Sequence, residues 1–178
     1  MRRRVPTPPE NALLLVGALF SKEDIYLKAV HDLEDCFGEM LMESPALKWD
    51  FSEHYKEELG EPIFRRFLFF TKLIEQDRLA AAKLKACEIE NSLSVNGKRT
   101  INLDPGYLTV AKLVLASTKD YSHRIYLTDG IFAEVTLSYS KDKQHYVPFP
   151  HTYRDYYDDR YLRLFSMART LLLYLSRG

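Results

Sequence analysis

Nine consecutive residues, Ala12 to Phe20 (ALLLVGALF), carry no charge, hydroxyl or amide side chain. The run is too short to span a bilayer, which takes about 20 apolar residues. It shows no apolar/polar alternation, so neither of its faces is designed to meet water. It reads as a central strand, and a chain built round such a strand must cover both sides of one sheet.

Cover is available further along the sequence. Ser21 with Asp24 makes a capping-box-like start for a helix. Ile25, Ala29, Leu33 and Phe37 recur there near the helical period, and Gly38 stops it. A second helix is expected over 75–93, with Leu79, Ala82, Ala86, Ile89 and Leu93 on one stripe. Between them lie a strand pattern over Met40 to Trp49, interrupted by Pro45, and a polar loop over 50–62. A Phe-rich strand follows over Ile63 to Phe70, where Arg65 and Arg66 imply that one face is not core. Asn96-Gly97 marks a turn into a short strand over Lys98 to Leu103.

The order strand, helix, strand, strand, helix, strand closes economically as a ferredoxin-like βαββαβ sandwich with both helices on one face. The rest adds a short helix (Val110 to Ser117), a C-terminal β-hairpin around Asp129-Gly130 and a C-terminal amphipathic helix. Tyr161, Leu164, Phe165, Ala168, Leu172 and Leu175 form the stripe of that last helix, with Arg160, Arg163, Arg169 and Arg177 largely off it. The expected fold class is α+β: residues 1–10 a flexible Pro-rich arm, residues 11–178 a single domain. That length buries enough core to need no disulfide or metal.

Charge narrows the function classes. Twenty-five Lys and Arg balance 25 Asp and Glu, so no global field recruits nucleic acid or an anionic membrane; only a local patch would bind either. Cys36 and Cys87 have no metal or redox spacing and read as small buried residues of a reducing compartment. Arg2 to Arg4 are followed by prolines and no cleavage site, so a cytoplasmic protein is expected. No cofactor follows from the residues. His31, His54, His145 and His151 are scattered, so no metal set forms.

The chemistry concentrates near the second half of the chain. Glu134 interrupts the apolar run Ile131, Phe132, Ala133, Val135, Leu137. A two-residue turn at Asp129-Gly130 pairs Leu127 with Phe132, Ile125 with Glu134, Arg124 with Val135 and His123 with Thr136. Glu134 then has His123 as its diagonal neighbour while Arg124 points away, and apolar residues on both faces imply a hairpin covered on both sides. A carboxylate placed there needs a partner. It either completes a polar network that orients a loop or serves as a general base or metal ligand in a cleft. Asp104-Pro105-Gly106 suits a type II turn whose N–H groups, with Lys112 one turn on, would hold an anion, or else is a tight connection capped by Asp104. Lys119-Asp120 departs by one residue from the [NT]-K-x-D guanine motif, and no phosphate-loop motif exists, which excludes a Walker-type site. Tyr153 belongs to an aromatic and charged segment, Thr152 to Tyr157, that would stack a base or sugar or simply pack its rings.

NLDPGY (102–107), KLVLASTKD (112–120), HRIYLTDGIFAEVTL (123–137) and the Thr152-Tyr153 and Asp155-Tyr156 pairs resemble a family of prokaryotic proteins called domain of unknown function 4416. YKEELG (55–60) and KLKACEIE (83–90) fit it more loosely. The resemblance spans nearly the whole chain and implies no activity. The residues themselves point to a polar cleft that binds a small anionic, phosphate-bearing or nucleotide-like ligand. Lys112, Lys119, Arg124 and Tyr153 would contact it, and Asp104, His123 and Glu134 would orient it or act catalytically. The alternatives are a metal-dependent phosphoester hydrolase or transferase, with Asp104 and Glu134 as ligands and His123 as acid/base, and a non-catalytic partner-binding scaffold using strand 63–70 or the Tyr-rich segment.

Overall fold

A computed structural model describes residues 6–176. The expected arm falls partly, and Arg177 wholly, outside the described residues; residues 6–10 are exposed and carry no regular structure. Among the described residues, nine strands form one antiparallel sheet: β1 (Leu13–Phe20), β2 (Met40–Glu43), β3 (Leu47–Trp49), β4 (Ile63–Phe70), β5 (Ile101–Leu108), β6 (Lys112–Ser117), β7 (Ile125–Thr128), β8 (Ile131–Ser140) and β9 (His145–Pro148). Four α-helices accompany it among the described residues: α1 (Glu23–Phe37), α2 (Glu53–Leu59), α3 (Leu79–Ser92) and α4 (Asp159–Leu175). The strand order is β2-β4-β1-β5-β6-β8-β7, with β3 beside β4 and β9 beside β8.

The apolar run is the sheet's centre, and each face has its own cover. Leu14, Val16, Ala18 and Phe20 pack under Tyr26, Ala29 and Leu33 of α1 and Ala82, Ala86 and Ile89 of α3. Leu13 and Leu15, with Phe67 and Phe69 of β4, pack under Tyr161, Phe165, Ala168 and Leu172 of α4. Burying one such side chain contributes about 1.5–3 kcal/mol, so helices on both faces follow from a strand that is apolar throughout.

Several local expectations are corrected. Ser21 does not cap α1; its hydroxyl donates to the Leu59 carbonyl, and no side chain caps that helix. Residues 50–62 are not all loop, because 53–59 form α2. In place of the expected helix over Val110 to Ser117, Lys112–Ser117 is a strand, since Leu113 and Leu115 enter the α4-side core while Val114 and Ala116 enter another, a two-sided burial that helical and strand patterns share. In the Phe-rich strand, Phe67, Phe69 and Phe70 are buried. Cys36 is exposed and Cys87 half-buried rather than both buried.

Pro105-Gly106 does not turn; it lies inside β5. A Cβ on Gly106 would stand 2.5 Å from the Val114 carbonyl oxygen, so glycine is what lets the β6 backbone approach. The supposed anion nest is the tight β5–β6 connection, where the Thr109 hydroxyl accepts from the N–H groups of Ala111 and Lys112.

Candidate functional site

The β5–β6 ladder runs only from Leu108–Leu113 to Gly106–Leu115. The next residue, Pro105, has no N–H to continue it. Beyond it the Leu103 N–H donates to Glu90, and the Leu103 carbonyl accepts from Lys83 Nζ at 2.7 Å, so two α3 side chains satisfy an edge that β6 has left. A cleft of about 130 Å³ opens where the strands part.

Cross-strand pairs share a face, which shows how the floor of that cleft is built. Gly17 pairs with Asp104 and Phe67, Leu19 with Arg65 and Asn102, and Leu115 with Gly106 and Glu134. All therefore lie on the α4 side of the sheet. The 154–157 turn crosses above and adds Asp155 and Tyr156; α2 adds Tyr55; the loop before β7 adds Lys119 and Arg124.

Five cationic side chains line the cleft (Arg65, Lys83, Arg99, Lys119, Arg124) against three carboxylates (Asp104, Glu134, Asp155). Arg99 is closed off by a two-pronged pair with Glu58, at 2.9 and 2.7 Å, and a longer contact to Glu90. Burial alone would raise the Asp104 pKa, but Lys83 at 3.5 Å, Arg65 at 3.6 Å and the Asn102 amide at 2.7 Å hold it below the usual carboxylate range. Burial pushes the Tyr55 phenol up to about 12, reinforced by Asp104, and places Tyr156 far above its ordinary value. Both phenols keep their protons at neutral pH.

Arg65 is 5% exposed in its side chain. Nη2 donates to Asp155 at 3.0 Å, where the Trp49 indole also donates. Nε and Nη1 are buried with no hydrogen-bond acceptor among the described residues, as is the Tyr156 hydroxyl. A Cβ on Gly17 would stand 2.8 Å from Arg65 Nη1. Glycine in the central strand is the space the guanidinium occupies.

Glu134 sits at the rim with both carboxylate oxygens engaged. Oε2 accepts from Arg124 Nε at 2.7 Å and meets His123 Nε2 at 3.0 Å; Oε1 accepts from the Thr136 hydroxyl. The expected hairpin register is off by one. Thr128 does pair with Ile131 across the turn, but a bulge before it sets Ile125 opposite Ala133 and Tyr126 opposite Phe132. That slip brings Arg124 onto Glu134, where a regular hairpin pointed it away. Nor is the hairpin covered on both sides: all four β7 residues are exposed.

Of the residues singled out in the sequence, Asp104, Lys119, Arg124, Glu134 and Tyr153 line one cleft. His123 does not line it; it backs Glu134 and stacks on His151 at 4.5 Å. Lys112, at the far end of β6, borders a separate cavity with Pro9 and Gln76. Sequence reasoning passed over Arg65, Lys83, Arg99 and Asp155. The signal for the first was present: two arginines inside a Phe-rich strand. Among the described residues, no three His, Cys, Asp or Glu gather as a bound metal requires, and no helix is long and apolar enough to cross a membrane.

A family model described as a domain of unknown function, DUF4416, matches residues 10–171. No curated protein and no solved structure matches the chain.

Proposed function

The chain belongs to the DUF4416 family, and we propose that it binds a small anionic ligand, phosphate-bearing or nucleotide-like, in the cleft between β5 and β6. One observation carries this: in a chain of zero net charge, five cationic side chains from β4, α3 and two loops converge on one cleft with three carboxylates. Cations held close together repel one another unless an anion joins them, and a walled cleft strengthens that attraction relative to open surface. Lys119 has no ion pair among the described residues and is exposed at the mouth. Tyr55 and Tyr153 add hydroxyls to the wall.

A metal-assisted phosphoester reaction is a second reading, favoured only by Asp104 and Glu134 lining the same cleft; both are already bonded to cations. The core that carries the site is inferred to be ferredoxin-like. Strand order β2-β4-β1-β5, with α1 and α3 on one face, supports that assignment. Exposed Cys36 outside any disulfide fits a reducing cytoplasm.

A thermal-shift panel of inorganic phosphate, sugar phosphates, nucleotides, carboxylates and divalent ions tests the reading. A ligand at 100 times its Kd adds about 2.7 kcal/mol of stability. At least one anion is expected to raise Tm in wild type. A panel in which only divalent ions do so would favour the metal-dependent alternative, and a flat panel would remove both.

A further inference from the structure

Of the three arginines that line the cleft, two are withdrawn from water, and only one of those two has its donors occupied. Arg124, 2% exposed, uses Nε on Glu134, Nη1 on the Ser117 hydroxyl and the Lys119 carbonyl, and Nη2 on the Tyr153 hydroxyl. Four of its five N–H groups are committed, and all four bonds tie down the walls. Arg65 commits one, to Asp155, and its Nε and Nη1 have no acceptor among the described residues. A buried donor left unbonded costs about 1–3 kcal/mol, more when charged. The Tyr156 ring centroid lies 5.9 Å from the Arg65 guanidinium carbon, and the Tyr156 hydroxyl likewise has no partner among the described residues.

Resting on the anion-binding reading above, we propose that the cleft seats a compact oxyanion, either free phosphate or the phosphoryl end of a small phosphomonoester. Arg65 and the Tyr156 hydroxyl at the floor and Lys119 at the mouth hold it, and Arg124 is a positioning residue that makes no contact with it. Size supports the class, since about 130 Å³ falls well short of the roughly 300–1,000 Å³ of sites that enclose a drug-sized molecule. Direction supports it too. The three donors come from β4, the 154–157 turn and the loop before β7. A phosphoryl group's three outward oxygens meet donors from several sides, whereas a carboxylate's two oxygens lie in one plane. Tyr156 keeps its proton at neutral pH and therefore donates.

Isothermal titration of the full chain with inorganic phosphate, glycerol phosphate and AMP tests the proposal and separates the sources. Free phosphate as cargo gives the tightest binding for phosphate alone; a monoester ligand gives it for glycerol phosphate. Either outcome supports the seat, whereas binding of AMP without the smaller two overturns it while leaving the broader anion reading standing. Arg65→Lys and Gly17→Ala, the second displacing the guanidinium without touching any charge, are each expected to weaken phosphate roughly tenfold or more, as loss of a charge-assisted bond does. Tyr156→Phe keeps the ring packed and removes an unbonded hydroxyl, so it is expected to weaken phosphate several-fold while Tm of the free protein rises. A hydroxyl with only a structural role would lower Tm instead. Arg65→Lys, Gly17→Ala and Tyr156→Phe all binding like wild type would overturn the seat, as would no binding of any of the three ligands. If carboxylates alone raise Tm in the earlier panel, the phosphoryl class fails and the anion site survives.

Discussion

Arg124 at the rim and Arg65 at the floor differ little in burial, at 2% and 5% side-chain exposure, and differ widely in what holds them. The rim arginine is enclosed by acceptors from four segments: β6, the loop after it, β8 and the residue preceding the 154–157 turn. The floor arginine sits over a glycine, between two aspartates, with one direct hydrogen bond. Burial of a charge is costly in both cases. At the rim the surrounding bonds offset that cost and fix a loop. At the floor the offset is incomplete, and incomplete compensation in a lined cleft is where a ligand adds most.

That contrast can be broken by mutation. The largest effect is expected from Asp155→Ala, which removes the one direct hydrogen-bond partner of Arg65 and frees the Trp49 indole; denaturant unfolding should show a loss of about 3–5 kcal/mol, the usual result of stranding a buried charge. A loss near 1 kcal/mol would mean that Arg65 relaxes to water, and the floor would not be the strained end. Glu134→Gln keeps the shape and one acceptor at the rim, so a smaller loss of about 1–3 kcal/mol is expected. Tyr153→Phe removes one of four bonds to Arg124 and should cost no more than about 1 kcal/mol.

Acid titration sharpens the same comparison through Asp104. Its pKa is lowered in the folded state, so the unfolded chain binds more protons as pH falls through the range near and below the unfolded value of about 3.9. Its contribution is therefore present above that value and lost as pH falls through the folded pKa. Asp104→Asn should flatten the stability–pH slope below about pH 4 and leave the slope above it unchanged. An unchanged acid slope would show that Lys83 and Arg65 do not stabilise the carboxylate as the geometry implies.

Local patterns announced the central strand, α1, α3 and α4, because apolar spacing alone selects them. Segment 112–117 was misread for the same reason: Leu113, Val114, Leu115 and Ala116 are buried on alternating faces, so no polar period distinguishes strand from helix. The Glu134–His123 contact was legible, since a short hairpin brings residues 11 apart together. The Arg124–Glu134 bond was not, since one bulge reverses the direction of a side chain. Arg65 was visible as an anomaly in a Phe-rich strand. Its partners lie 39 and 90 residues away, at Asp104 and Asp155, and no local pattern carries that information.

The most direct measurement compares the two guanidinium groups in one spectrum. In a ¹H–¹⁵N correlation of arginine Nε–H groups, inorganic phosphate should move the Arg65 signal and slow its exchange with water, while the Arg124 signal stays in place. A shift at Arg124 with Arg65 unmoved would contradict the account, because the arginine with occupied donors would then be the one that meets the anion.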